Sequence, residues 1–509
     1  MSTADQTQVH DVVIIGAGFA GIGTACALRR RGVEDFVLLE RAQDVGGTWR
    51  DNHYPGAACD VPSHLYSFSF RLNPDWSRTF APQGEILDYV RETAREEGVL
   101  PRVRFGADVE QVTWDEAASQ WELRAGGQTH RARFVVSAVG HLSDPKYPAI
   151  RGLHDFGGQL MHSAQWDDAV DLRGKRVGVI GTGASAIQVV PSIAGAVSEL
   201  VVFQRSAPYV TPRPDKEYTA AEKRMFARVP EAMRAERRGI FWANEERYAQ
   251  RRMTPALVEA VQRAALDHLA SQVPAGELRD ALTPDYVIGC KRILKSDDYY
   301  PAFLRENVAL ETTGIDSIEE AGVRLTDGRL VELDVLIACT GFETTELPIA
   351  ERVRGRDGQL LADRWSKGME AYATTAVHGF PNFWLVNGPN TGLGHNSSVY
   401  VAEAQIEHIG AAVEEGVRTG RVLEVLDSVE QDYTRQLDEM SRGTVWLDGG
   451  CRSWYVDHRS NRLTTLWPDF AFSFREVNSP FDPAPYGLDG TTDDTGAGAQ
   501  RLAGLLETS

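Results

Sequence analysis

Two glycine-rich loops in one chain could each cradle the pyrophosphate of a dinucleotide. The first is Gly16-Ala17-Gly18-Phe19-Ala20-Gly21, preceded by the apolar run 11–15 and followed by a helix-like stretch from Ile22 to Arg31 that Gly32 closes. A second apolar run, 36–39, ends in Glu40, 24 residues after Gly16. Strand, GxGxxG, helix, strand and acid make a complete dinucleotide fingerprint. Its glycines let the backbone turn and approach phosphate, the helix N-terminus attracts the charge, and the acid accepts hydrogen bonds from a ribose diol. Gly16, Gly18, Phe19, Gly21 and Glu40 are the candidate residues. The unit recurs as the run 176–180, then Gly181-Thr182-Gly183-Ala184-Ser185-Ala186, a helix to Ile193 and a strand over 200–204. Here Arg205 follows the strand, and a guanidinium pairs with a 2′-phosphate that an acid would repel. The first unit therefore reads as an FAD site. The second reads as an NADPH site, with Thr182, Gly183, Ser185, Ala186 and Arg205 as candidates.

Other reactive side chains are few. Five cysteines, Cys26, Cys59, Cys290, Cys339 and Cys451, are odd in number and scattered, with no CxxC pair. This pattern predicts reduced thiols in a cytoplasmic setting, no disulfide framework and no metal site. It also counts against the pyridine-nucleotide disulfide reductases, which carry two dinucleotide domains as well. The basic pair Lys291-Arg292 and the acid Asp60 complete the chemistry on offer.

A chain of 509 residues needs more than one core. With 53 basic and 72 acidic residues the formal charge is −19, which excludes a surface built for nucleic acid or anionic lipid. No apolar run approaches the length of a membrane span, and Met1 to His10 lacks the order of a secretory signal. The expected fold is α/β, with two Rossmann-like dinucleotide-binding domains. Residues 1–148 and 335–484 would form the FAD domain and 149–334 the NADPH domain. The latter carries a charged helical insertion over about 212–285, where Leu257, Val261, Ala265 and Leu269 fall at helical spacing. Residues 485–509, rich in Gly, Asp and Thr, read as a flexible tail.

Between the loops lies Phe156-Gly157-Gly158-Gln159-Leu160-Met161-His162-Ser163-Ala164-Gln165-Trp166-Asp167, which is FxGxxxHxxxW followed by Asp. Earlier, Gly46-Gly47-Thr48-Trp49 to Tyr54-Pro55-Gly56-Ala57-Ala58-Cys59-Asp60 gives GGxWxxxxYPGxxxD. With Gly289-Cys290-Lys291-Arg292 and Asp298-Tyr299-Tyr300, these segments resemble the type I Baeyer–Villiger monooxygenases over most of the chain, to about residue 475. The resemblance implies FAD, NADPH, O2 and a ketone substrate, with one oxygen inserted beside the carbonyl to give an ester or lactone. It implies that Phe156, Gly158, His162 and Trp166 mark the domain junction. Gly47, Thr48, Trp49, Asp51 and Tyr66 would line the flavin, with Asp60 on the side where oxygen reacts. Lys291 would help hold the 2′-phosphate, and Arg292 would stand over the flavin as the catalytic cation that Asp60 positions. Cofactor contact is carried over as well to Val109, Gln188, Ser206 and Asn390. The segment 451–455 resembles the branch that includes aryl-ketone monooxygenases. Flavin enzymes that oxidise nitrogen or sulfur carry a similar motif, usually with another aromatic in place of Trp166. A non-catalytic flavoprotein also stays open at this point.

Overall fold

The computed structural model describes residues 9–487 and 502–505. Strand β1 (Val9–Ile15) leads through the first glycine loop into helix α1 (Phe19–Arg30) and β2 (Phe36–Glu40). The short helix α2 (Thr48–Asp51) and α3 (Gln83–Glu96) follow. Then come β3 (Val103–Phe105), β4 (Val109–Asp115), β5 (Gln120–Ala125) and β6 (Gln128–Ser137). In β1 alternate residues face opposite layers: Val12 and Ile14 enter one core, Val13 and Ile15 another. This is how a continuous apolar run behaves when both faces of its sheet are covered. β1 pairs in parallel with β2 and β6. A Cβ on Gly21 would stand 1.9 Å from the Gly16 carbonyl oxygen, so only glycine lets α1 start this close to the strand.

The second sheet uses β7 (Gln159–His162), β8 (Arg176–Ile180) and, beyond helix α4 (Ala186–Ile193), β9 (Glu199–Phe203). β10 (Val210–Thr211) and β11 (Leu294–Lys295) form a separate parallel pair that brackets the insertion. Inside it lie α5 (Ala220–Arg228), α6 (Pro230–Glu245), α7 (Tyr248–Arg251), α8 (Pro255–Gln272) and α9 (Glu277–Ala281). In α8 the expected apolar stripe is half realised. Ala265 and Leu269 are buried, whereas Leu257 is exposed.

β12 (Val308–Glu311) joins the second sheet, and β13 (Ile315–Glu319), β14 (Gly322–Leu325) and β15 (Leu330–Glu332) make a small antiparallel sheet. β16 (Val335–Ala338) then lies between β8 and β7. The expected boundary at 335 thus falls inside the second sheet. The chain returns to the first with β17 (Val353–Arg354) on β4 and β18 (Phe383–Leu385) on β6. A run of four buried apolar residues suits either sheet, which is why the sequence reading put β16 in the FAD domain and the structure places it in the second sheet. No helix among the described residues is long and apolar enough to cross a membrane.

Two expectations fail. Residues 484–486 form a short helical turn whose Tyr486 is buried against Trp384, and Leu502 lies fully in the first core. The expected tail is therefore packed at these points, and the rest of it lies outside the described residues. Secondly, Cys290 and Cys451 form a disulfide across 161 residues of sequence, with Cα atoms 6.1 Å apart. An odd set of scattered cysteines gave no hint of it, because only the fold brings the pair together. Cys26, Cys59 and Cys339 are free and buried. Removing the cross-link by Cys451→Ser should cost about 2–5 kcal/mol, as expected for loss of a native disulfide. The check is a thermal or urea midpoint. An unchanged midpoint, with five free thiols in the wild type instead of three, would mean the bond does not form in solution.

Candidate functional site

The first glycine loop opens a cleft walled by Gly16, Phe19, Gly47, Thr48, Trp49 and Val109. Glu40 is almost wholly buried in its floor. Its Oε2 accepts the Ala17 N–H at 2.9 Å, and its Oε1 accepts the Ala42 N–H and an Arg50 guanidinium N–H, each at 2.9 Å. The carboxylate is locked in place with lone pairs left over. Gly18 caps α1 with no side-chain hydrogen bond, so its first amides stay available. A Cβ on Gly47 would stand 3.1 Å from Gly18 Cα, so a side chain there would fill the gap between the loops. Trp49 donates its indole N–H to the Tyr66 hydroxyl at 3.1 Å. Asp51 is held by Arg50 at 2.8 Å. A dinucleotide with a ribose on Glu40 and a pyrophosphate at the α1 terminus fits this cradle. Asn390 is engaged elsewhere. Its side-chain amide donates to the Leu463 and Leu466 carbonyls, while Asn387 reaches the cleft wall.

At the second loop Thr182 donates to the Ser206 carbonyl at 3.2 Å, and Lys291 donates to the Ser206 hydroxyl at 2.6 Å. Arg205 is exposed and has no acidic partner among the described residues. Burial and the field of Arg205 hold the Lys291 ammonium below its usual pKa. A guanidinium and an ammonium side by side have the charge to attract a compact dianion. Ala186, the first residue of α4, is fully buried, with Ser185 at its N-cap and Gly183 just before. Gln188 instead stitches the two halves together: it accepts from the Tyr54 hydroxyl at 2.9 Å and donates to the Ala58 carbonyl at 3.0 Å.

That seam leads to Asp60. Arg292 donates through Nε at 3.0 Å and through Nη2 at 2.5 Å to Asp60 Oδ2, and Lys295 donates to the Asp60 carbonyl at 3.0 Å. Burial alone would raise the Asp60 pKa, but Arg292 and Lys295 outweigh it and hold the carboxyl below its usual range. Asp60 in turn raises the Arg292 pKa, so the guanidinium is charged at any working pH. Burial, together with neighbouring Arg247 and Arg292, pulls the Lys295 ammonium down to about 8 against the opposing pull of Asp60. Buried Tyr455, four residues beyond Cys451, faces Arg292 and Arg251. The disulfide fixes this wall to the residue two before Arg292.

His162 is fully buried at the end of β7, and its Nδ1 accepts the Ala164 N–H at 3.0 Å. Its ring meets Tyr147 and Phe342 edge-on, at 5.3 and 6.0 Å between centroids. These residues belong to the segments near 145 and 342, which pair where the chain passes from one sheet to the other. Burial pushes the imidazole down to about 4, so it is neutral. Phe156 is buried, and a Cβ on Gly158 would strike both its ring and the Asp334 carbonyl. Trp166 packs on the second-sheet core.

Sequence reasoning missed Arg50 and Lys295, and reached Tyr455 only as one residue of the segment 451–455. Arg50 was visible inside the GGTWRD segment, but nothing in the sequence brought it to Glu40. Lys295 sits three residues beyond Arg292 and could have been flagged with it. Among the described residues no group of three or more His, Cys, Asp or Glu could hold a metal ion.

A family model described as pyridine nucleotide-disulphide oxidoreductase matches residues 13–236. The likeness covers the two nucleotide loops and not the Cys290–Cys451 pair. A Baeyer–Villiger monooxygenase of Streptomyces coelicolor is 44% identical, covering 95% of this chain and 94% of its own length. One of Pseudomonas aeruginosa is also 44% identical, over 94% and 91%. Among solved structures, cyclohexanone monooxygenase from Rhodococcus sp. Phi1 bound to NADP+ is 28% identical with a TM-score of 0.83, covering 93% of this chain and 97% of that one. An oxidised steroid monooxygenase bound to NADP is 30% identical with a TM-score of 0.82, over 95% and 99%.

Proposed function

Because this chain belongs to the Baeyer–Villiger monooxygenase family, we propose that it is an FAD-containing, NADPH-dependent enzyme that converts ketones to esters or lactones. Bound FAD, once reduced by NADPH, supplies the O2 chemistry. The chain's own residues bind, orient and shield. Glu40 takes a ribose diol on the lone pairs its three donors leave free, and the α1 amides take the pyrophosphate. Thr48, Trp49, Asp51, Tyr66 and Val109 line the flavin side of that cleft. Arg205 and Lys291 clamp the 2′-phosphate across Ser206.

The observation that carries the reading is the Asp60–Arg292 pair, whose Asp60 lies two residues beyond the Ala58 carbonyl that Gln188 of the second nucleotide unit holds. Oxygen insertion needs an anionic oxygen kept from taking up a proton, and a fixed guanidinium stabilises such an anion. Asp60 holds that guanidinium in register. His162, neutral and buried where the chain crosses between sheets, acts as a positioning residue for the junction. We place the enzyme in the cytoplasm, where NADPH is regenerated.

The purified protein should be yellow. With a suitable ketone it should consume NADPH and give an ester carrying one atom from labelled O2. A chain that cannot be loaded with FAD, or that oxidises NADPH without oxygenating any ketone, would remove the proposal. Arg205→Ala loses a charged contact of about 1.5–3 kcal/mol, so NADPH should bind about ten- to a hundredfold more weakly and NADH nearly as before. Equal losses for both coenzymes would count against the clamp.

A further inference from the structure

Helix α6 does not stop at Glu245. Glu246 and Arg247 keep helical dihedrals and run into α7, so Arg247 and Arg251, four residues apart, share one face. Arg251 is buried, donates to the Gly394 carbonyl at 2.7 Å, and has a buried Nε with no hydrogen-bond partner. A Cβ on Gly289 would stand 3.1 Å from its Nη1. Arg251 is thus wedged between the loop that leads to Arg292 and the turn at Gly394. One turn back, Arg247 is accessible and makes no ion pair or side-chain hydrogen bond among the described residues.

Two acids near these cations, Glu245 and Asp60, already carry hydrogen bonds. Glu245 accepts from Asn396 at 2.6 Å, from His395 at 3.1 Å, and from the Ala471 and Phe472 amides. Asp60 is taken by Arg292. Glu246 is exposed and pairs with no cation among the described residues. Desolvation lowers the pKa of both Arg247 and Arg251, and the field of Arg247 reaches Lys295 and His395. Arg247, Arg251, Lys295 and Arg292 therefore outnumber the carboxylates beside them, Asp60, Glu245 and the exposed Glu246, in a chain whose net charge is −19. Such a surplus is costly to hold together unless a ligand supplies an anion. The coenzyme's 2′-phosphate has its own pair in Arg205 and Lys291.

We propose that Arg247, backed by Arg251, is an anion-recognising subsite of the substrate cleft, and that the preferred ketones are oxo acids with a carboxylate remote from the carbonyl. This rests on the oxygen-insertion reading above and names its substrate class. The test is the holoenzyme's kcat/KM for a medium-chain acid with an internal ketone and for its methyl ester, in wild type and Arg247→Gln. The KM for NADPH and the thermal midpoint are read alongside. Wild type should favour the acid, and the acid-to-ester ratio should fall about ten- to a hundredfold in the variant, as for loss of a charged hydrogen bond. Arg247→Lys should restore part of the ratio, and it carries the test should Arg247→Gln not fold. Indifference of wild type to the carboxylate overturns the proposal, as does an equal loss on acid and ester. So does a change confined to the KM for NADPH, which would assign Arg247 to the coenzyme. If wild type turns over a neutral ketone but neither member of the pair, the subsite falls while oxygen insertion stands. If no ketone is oxygenated, the parent reading falls and the subsite with it.

Discussion

The ion pair between Asp60 and Arg292 joins residues 232 apart in sequence, and the other features of the site are arranged around it. It draws the loop that follows the first nucleotide unit onto the strand that closes the helical insertion. Removing one partner of a fully buried pair costs about 3–5 kcal/mol, because the survivor's charge is left uncompensated. Here the side chains keep 39% and 30% accessibility, so the cost is smaller and the charge stays available to a ligand. The same pair fixes protonation. Asp60 remains ionised and Arg292 remains charged, so this cation does not vary with pH across the working range.

Two cross-links hold that pair in register. The parallel contact of β10 with β11 brings Lys295 beside Thr211, and the disulfide binds Cys290 to the wall that carries Tyr455. The insertion is anchored by Glu245, whose carboxylate takes four donors, from His395, Asn396, Ala471 and Phe472. A buried carboxylate so fully satisfied holds two remote segments, 395–396 and 471–472, against the insertion. The insertion is thereby tied to segments that follow both sheets, rather than being an appendage on the second sheet.

Local features were legible in the sequence because their causes are local. The strand-loop-helix units around Gly16 and Gly181 follow from apolar runs and glycine sterics, and Glu40 and Arg205 follow from their place at strand ends. Asp60 and Arg292 were legible only through family resemblance, since nothing in either segment points at the other. The packing of residues 484–486, the Cys290–Cys451 bond and the placing of β16 in the second sheet depend on contacts far apart in sequence. Composition and periodicity carry no record of them. The same holds for Arg247, which reads as one more charge on a helix until its missing partner is seen.

The central claim is that Arg292 supplies the charge that oxygen insertion needs, beyond any part it has in binding coenzyme. Arg292→Ala, checked for retained flavin, separates the two by one paired measurement: the rate of anaerobic flavin reduction by NADPH, and the yield under air of ester labelled from O2. Reduction should persist while labelled ester disappears. Labelled ester formed at the wild-type yield would contradict the account, and would leave the Lys291–Arg292 segment as a coenzyme clamp alone.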